Sequence, residues 1–88
     1  MNRIEVGPAA RQALLTLARP TRRRLQYAID GLADQPRPQG AVRLSGAPDT
    51  VKLRVGTHEM IYTVRDDVIL ILDILHRDSP WHRSDRSG

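Results

Sequence analysis

A strict alternation of apolar and charged residues begins near the middle of the chain. Over Val51–Val55 the odd positions are valine or leucine, and the even positions are Lys52 and Arg54. This period of two is typical of a half-buried β-strand. Gly56–Thr57 follows and predicts a hairpin turn, because glycine at the first central position suits the primed turns that join antiparallel strands. We therefore expect Lys52 and Arg54 on the exposed face of a strand.

Two further strands are predicted to complete an antiparallel meander. His58–Arg65 is rich in Ile, Tyr, Thr and Val, as strands are, and Tyr62 within it is expected in or near the core. Asp66–Asp67 predicts a second tight turn. Val68–His76 is apolar except for Asp73 and predicts the central strand of the sheet. A buried aspartate needs a partner, so we expect Asp73 to pair with a nearby arginine.

The N-terminal half predicts one short strand and a helical hairpin. Arg3–Val6 is a β-like run, and Gly7–Pro8 ends it with a proline suited to the first turn of a helix. Apolar residues then recur at helical spacing on either side of Pro20. The two stripes are Ala10, Ala13, Leu14, Leu17 and Ala18, then Leu25, Ala28, Ile29 and Leu32. Both can be buried only against a sheet, which predicts an α+β two-layer sandwich: strand, helical hairpin, three-stranded meander.

Length and composition narrow the class of protein. The 88 residues suffice for one domain, which we expect to span residues 1–83, with residues 84–88 forming a disordered tail. The chain has no cysteine, which excludes disulfides and cysteine-rich zinc folds. No apolar run has the length of a membrane span and no secretory signal is visible, so we expect a cytoplasmic protein without a membrane partner.

The distribution of charge indicates a negatively charged partner. The formal net charge is +4, and residues 1–50 hold eight arginines against four acidic residues. Cations near the start of a helix oppose its dipole, at about 0.3–1 kcal/mol each when exposed. An acidic protein or a nucleic-acid backbone would offset that cost, and plain hydration is the alternative. The arginines that crowd the start of the second helix are Arg19, Arg22, Arg23 and Arg24.

Further candidate chemistry lies at the rims of the meander. A cluster of cations beside an aromatic ring suits an RNA phosphate and an unstacked base. The exposed face of any two-layer domain also carries charge, so a solvated surface remains the alternative. The candidate residues are Lys52 and Arg54 on the first meander strand, Arg77 after the last, and Trp81, His82 and Arg83 beyond it.

These motifs together resemble the RelE/ParE superfamily of toxins from bacterial toxin–antitoxin pairs. The resemblance covers nearly the whole chain and is most specific at residues 44–46, 51–56, 60–62 and 74–77. It implies the layout predicted above and two activities within one fold. RelE-like members cut mRNA in the ribosomal A site, and ParE-like members poison DNA gyrase. A fold alone does not choose between them.

The RelE-like reaction implied by the resemblance uses no metal and no cofactor. The 2′-OH of the RNA attacks the adjacent phosphate and leaves a 2′,3′-cyclic product, so the protein must assist proton transfer and stabilise a phosphorane. By family position, Lys52 and Arg54 correspond to a basic pair. Arg77 corresponds to the arginine that stabilises the phosphorane, because a guanidinium can contact two oxygens at once.

Two positions depart from the family pattern. Glu59 stands where many RelE-like toxins have an arginine, and Trp81 stands where they often have a tyrosine. A carboxylate repels phosphate unless it acts as a base. Indole can stack on a base but is no practical proton donor, so His82 is the candidate acid or base, with Arg83 beside it to bind RNA.

The partners implied by the resemblance are a cognate antitoxin, the ribosome and mRNA. We expect the arginines of the second helix to bind an antitoxin segment that folds on binding. A ParE-like gyrase inhibitor, or a degenerate member that acts only through its antitoxin, is the alternative. His58 and His76 are too far apart in sequence to form a metal pair by local spacing, so no metal site is expected.

Overall fold

The computed structural model describes residues 1–77, which form a five-stranded sheet covered on one face by two helices. The strand order is β1-β5-β4-β3-β2, with β1 parallel to β5 and the other pairs antiparallel. Trp81, His82, Arg83 and the expected tail at residues 84–88 lie outside the described residues. The elements are β1 (Arg3–Val6), α1 (Pro8–Thr16), α2 (Arg19–Gly31), β2 (Val42–Leu44), β3 (Ala47–Val55), β4 (His58–Arg65) and β5 (Val68–His76).

The predicted α+β class and the antiparallel meander of β3, β4 and β5 are confirmed. Three details of the sheet were predicted wrongly. The three-residue strand β2 was not expected, β3 begins at Ala47 rather than at Val51, and β4 rather than β5 is central. All three follow from the pairing of β2 with β3, which adds a strand at that edge and extends β3 backwards. Asp49 therefore lies in β3, with its Oδ2 3.3 Å from Arg65 Nε.

The helices pack on the face of the sheet that carries the apolar alternate residues. Ala10 and Leu14 of α1 and Leu25 and Ile29 of α2 are buried, as their helical spacing predicts. Ala18, placed in the first stripe, is instead exposed, because α1 ends at Thr16 and Ala18 is the N-cap of α2. The sheet side of this core consists of Val51, Leu53, Met60, Tyr62, Ile69, Ile71 and Ile74.

Tyr62 is the largest of the fully buried side chains, as expected of a core residue. Its hydroxyl donates a 2.7 Å hydrogen bond to the Pro36 carbonyl oxygen and so ties the loop after α2 to the sheet. Burial raises the pKa of Tyr62 to about 12. This phenol therefore stays protonated and serves as a structural donor.

A β-bulge in β5 determines which residues face away from the helices. Ile61 pairs with Asp73 and Tyr62 pairs with Ile71, so Leu72 has no partner across the ladder. The Asp73 carboxylate accepts a 2.8 Å hydrogen bond from the Ile74 backbone N–H. The expected arginine partner of Asp73 was wrong: within residues 1–77 it makes no ion pair, because the bulge brings the adjacent amide to it.

Both predicted hairpin turns are present. Gly56 has φ +64°, and Asp66 and Asp67 have φ +48° and +64°. The two successive positive φ values at Asp66 and Asp67 are characteristic of a type I′ turn, whose twist matches that of the flanking strands. The two turns lie at opposite ends of the meander. Within residues 1–77, neither helix is long and apolar enough to cross a membrane.

Candidate nucleic-acid interface

The face of the sheet opposite the helices carries the predicted basic residues. Across the strands, Arg54 pairs with Glu59 and Glu59 with Leu75. One step further along, Lys52 pairs with Ile61. Because strand side chains alternate between faces, these residues lie opposite the buried Leu53 and Met60. The structure thus brings Lys52, Arg54 and Glu59 together on one open face, which we call the outer face.

Lys52 and Glu59 form a diagonal cross-strand ion pair on the outer face. The Lys52 Nζ lies 3.7 Å from Glu59 Oε2, and the two side chains are 38% and 13% exposed. The carboxylate is thus the less accessible partner. The pair lowers the local positive charge and keeps a carboxylate among cations.

Arg54 and Arg77 both contact backbone carbonyl groups of the Gly56–Thr57 turn. The Arg54 Nε lies 3.5 Å from the Gly56 carbonyl oxygen, a long and weak hydrogen bond. The Arg77 backbone N–H donates a 2.9 Å hydrogen bond to the Thr57 carbonyl oxygen. Both side chains are exposed. The end of the sheet that carries this turn therefore has two exposed arginines beside the Lys52–Glu59 pair.

Arg24 reaches the same turn from the helical layer. A Cβ built on Gly56 would lie 3.1 Å from Arg24 Nη1 and 3.8 Å from its Cδ. Sequence reasoning grouped Arg24 with its neighbours in α2 and missed this contact with the meander. The only signal in the sequence was Gly56, which a turn of this kind needs for its positive φ and which leaves room for a guanidinium.

The other three arginines of α2 lie on different sides of the helix. At about 100° per residue, Arg19 and Arg23 share the solvent face with Tyr27, and all three are exposed. Arg22 is half-buried beside the apolar stripe, on the flank opposite Arg24. The four arginines therefore form two flanks and a solvent face rather than one compact patch.

His58 and His76 meet at the same end of the sheet on the face that the helices cover. They are direct partners across β4 and β5, and their ring centroids are 5.0 Å apart in a T-shaped arrangement. His58 Nδ1 lies 3.3 Å from Thr57 Oγ1. Burial, and then the neighbouring His76, lower the pKa of His58. Strand pairing thus brings together two histidines that local spacing kept apart, although residues 1–77 contain no group of three His, Cys, Asp or Glu side chains suited to a metal.

The expectations for Trp81, His82 and Arg83 lie beyond the described residues. Within residues 1–77, the structure gathers Lys52, Arg54, Glu59, Arg77 and Arg24 at one end of the molecule. A helical hairpin on one face of a meander, with positive charge concentrated at one corner of the other face, defines a small basic α+β protein.

Comparison with known proteins identifies the family. The family model for the "ParE toxin of type II toxin-antitoxin system, parDE" matches residues 4–81, which is most of the chain. The chain therefore belongs to this family of type II toxin–antitoxin toxins, within the RelE/ParE superfamily. None of the curated proteins is similar enough in sequence to match.

Solved structures of RelE toxins have the same fold. The archaeal RelE–RelB complex from Pyrococcus horikoshii OT3 matches with a TM-score of 0.78 and 28% identity, over 88% of this chain and 96% of that one. The isolated Escherichia coli RelE toxin gives a TM-score of 0.78 at 18% identity, over 99% and 96%. RelBE2 from Mycobacterium tuberculosis gives 0.75 at 21% identity, over 86% and 98%. The latter two show the fold alone.

Proposed function

We propose that this toxin is a RelE-like, ribosome-dependent mRNA endoribonuclease that inhibits translation. The observation that carries the proposal is the shared position of Lys52, Arg54 and Glu59 on the open outer face, with Arg77 at the adjacent turn. Cations beside a carboxylate on one open face are suited to bind a phosphodiester, and the carboxylate is suited to act as a base next to it. Likeness to RelE structures supports the same fold but not the activity.

The proposed reaction is internal transesterification of the message. The 2′-oxygen forms a bond to phosphorus as its proton passes to a base, and the bond from phosphorus to the 5′-oxygen breaks as that oxygen gains a proton. Glu59 is the candidate base among the described residues, since its carboxylate already lies beside Lys52. His82 is the candidate for the second proton transfer from the sequence alone.

Arg77 is assigned to the phosphorane. Negative charge on the phosphoryl oxygens grows towards the transition state, and a planar guanidinium can contact two of them. Arg77 is exposed, and its backbone is fixed to the Thr57 carbonyl oxygen. Lys52 and Arg54 are assigned to the flanking backbone, and Trp81 and Arg83 to the RNA on sequence grounds.

The cognate antitoxin is the proposed protein partner. The structure of the archaeal relative is a RelE–RelB complex, which supports the same kind of partnership here. We assign an acidic antitoxin segment to the arginines of α2, because α2 has no acidic residue in its first turn to balance their charge. These arginines are Arg19, Arg22, Arg23 and Arg24.

Gyrase inhibition of the ParE type is the second candidate function. It is favoured by Glu59, a carboxylate that offsets Lys52 on the surface proposed for phosphate, and by the name of the matching family. Expression without antitoxin separates the two. Primer extension on a reporter transcript should show cuts within codons that require ribosomes. Intact messages together with gyrase-dependent DNA breaks would instead establish that the protein inhibits gyrase.

Arg77→Ala tests the proposed site directly. Removing a comparable preorganised donor costs about 10²–10³ in rate, so single-turnover cleavage of a ribosome-bound message should fall by that factor. Arg77→Lys should recover little, because an ammonium cannot make the two-oxygen contact. Arg3→Ala is the matched control: Arg3 is exposed, and its partner Val68 adjoins the Asp66–Asp67 turn at the other end of the sheet. Cleavage by Arg77→Ala at the parental rate would refute the assignment.

A further inference from the structure

Arg24 is separated from the other arginines of α2 by its position on the helix. It lies on the flank of the buried stripe that faces the β3–β4 turn, whereas Arg19 and Arg23 occupy the solvent face. Its guanidinium rests against Gly56, with Nη1 3.1 Å from the position of a Cβ there. Arg24 is nonetheless exposed, so the guanidinium is accessible to a ligand.

Three arginines from three different elements therefore meet at one two-residue turn. Arg24 comes from α2, Arg54 from β3, and Arg77 from the residue after β5. Their links to the turn are the Arg24–Gly56 contact, the Arg54 Nε–Gly56 oxygen contact and the Arg77 N–H···Thr57 bond. The turn therefore brings the three residues close together, with Arg77 tied to it through its backbone N–H and Arg24 and Arg54 through side-chain contacts.

Among residues 1–77, no carboxylate forms an ion pair with any of these three guanidinium groups. The ion pairs within residues 1–77 join Arg3 to Glu5, Lys52 to Glu59 and Arg65 to Asp49, and none involves Arg24, Arg54 or Arg77. The carboxylate nearest in the ladder, Glu59, is occupied by Lys52. Neighbouring cations without an ion-pair partner repel one another, so an RNA backbone that brings successive phosphates beside them is attracted by all three.

We propose that Arg24 is a substrate-binding residue that holds an RNA backbone phosphate over the Gly56–Thr57 turn, next to the reacting phosphate at Arg77. This inference rests on the proposed ribonuclease function and extends its site into the helical layer. Arg24 does not touch the reacting phosphate. Its role is to bind the strand, and its loss should weaken binding without slowing the chemical step.

The salt dependence of RNA binding tests the proposal. The probe is a short single-stranded 2′-O-methyl RNA, which lacks the attacking hydroxyl, and its affinity is measured by fluorescence anisotropy over a range of KCl concentrations. Each phosphate neutralised on a single strand contributes about 0.7 to the slope of log K against log salt. Arg24→Gln should lower that slope by about 0.7, and Arg24→Lys should restore it.

Arg11→Gln is the matched control, because Arg11 is an exposed helical arginine on α1 and the substitution changes the net charge equally. It should leave the slope unchanged. In ribosome assays, Arg24→Gln should raise the half-saturating ribosome concentration and leave the saturated cleavage rate within about twofold of the parent, the opposite of Arg77→Ala. A purely structural role would lower the melting temperature instead.

Two results would overturn the inference. If Arg24→Gln and Arg11→Gln gave equal slopes of log K against log salt, Arg24 would contribute only to the general positive charge of the surface. Weaker antitoxin binding with an unchanged RNA slope would assign Arg24 to the antitoxin surface alone. Failure of the proposed ribonuclease function would give a different result from failure of this inference. The parent would then bind the probe but leave ribosome-bound messages intact, and the salt slope would still show whether Arg24 contacts a phosphate.

Discussion

The side chain of Tyr62 links the loop after α2 to the sheet. The Tyr62 ring is fully buried and its hydroxyl is bonded to the Pro36 carbonyl oxygen. Tyr62→Phe should therefore lower the free energy of unfolding by about 0.5–1.5 kcal/mol, measured by urea denaturation. Tyr27→Phe, at an 84% exposed position, is the control and should change little. Equal effects of the two substitutions would contradict the assigned role of the bond.

The same phenol makes stability depend on alkaline pH. The pKa of Tyr62 is about 12 in the fold against 10.0 when unperturbed, so the unfolded chain ionises first as the pH rises. The contribution is fully present below pH 10.0 and is lost towards pH 12, an effect of about 2–3 kcal/mol. Urea midpoints should fall less over this interval for Tyr62→Phe than for the parent. Parallel profiles would show that Tyr62 ionises alike in both states.

The lowered pKa of His58 predicts that the protein becomes less stable as the pH falls. Burial lowers its pKa below 6.5 in the fold, so the unfolded chain takes up a proton first as the pH falls. Stability should decrease from about pH 7 through the lowered pKa, because protonation favours the unfolded state. His58→Gln should show a smaller decrease, measured as the urea midpoint at each pH. A steeper decrease in the variant would reverse the sign of the argument.

At the residue scale, alternation predicted which side chains of β3 face outward, but it could not reveal contacts between elements. Lys52 and Arg54 lie on the open face as their spacing indicates. Arg24 at Gly56 and His58 beside His76 depend on pairings between residues distant in sequence. Such contacts become visible only when strand register and helix rotation are fixed.

Helix α2 lacks a stabilising side-chain cap at its N-terminus. Its N-cap is Ala18, with extended φ and ψ of −61° and 151° and no side-chain cap. Ala18→Asn should raise the free energy of unfolding by about 0.5–2 kcal/mol, because the amide oxygen can accept a bond from the first turn. Ala18→Gln is the control, since its longer side chain caps poorly. Urea unfolding measures both, and no gain for asparagine would mean that another group already satisfies the turn.

The boundaries of β4 and β5 were predicted correctly, because turn residues lie next to both runs. A strand without such turns on both sides is recognised only by its apolar–polar periodicity. The three residues of β2 are too few to show one, and Pro48 interrupts the start of β3. The register shift between Arg43 and Leu44 accompanies that irregular start.

At the scale of the whole molecule, the antitoxin is assigned to α2, which carries four arginines and no acidic residue in its first turn. Arg22, Arg23 and Arg24 changed together to Glu should weaken the complex with the co-expressed antitoxin, measured by calorimetry, because like charges then face an acidic segment. The control changes Arg3, Arg11 and Arg43 to Glu, which alters the net charge equally at exposed positions elsewhere. If the two triple variants lose affinity equally, the arginines of α2 are not the docking surface.

The parallel pairing of β1 with β5 has a consequence for the order of synthesis. Arg3 pairs with Val68, so the first strand must await the last described one, and the core residues Ile69, Ile71 and Ile74 are also made late. A growing chain therefore offers its helices no complete surface to cover, and contacts of such long sequence separation form slowly. The toxin fold is therefore completed only after β5 has been synthesised, and an antitoxin already present meets a chain that contains both helices and all five described strands.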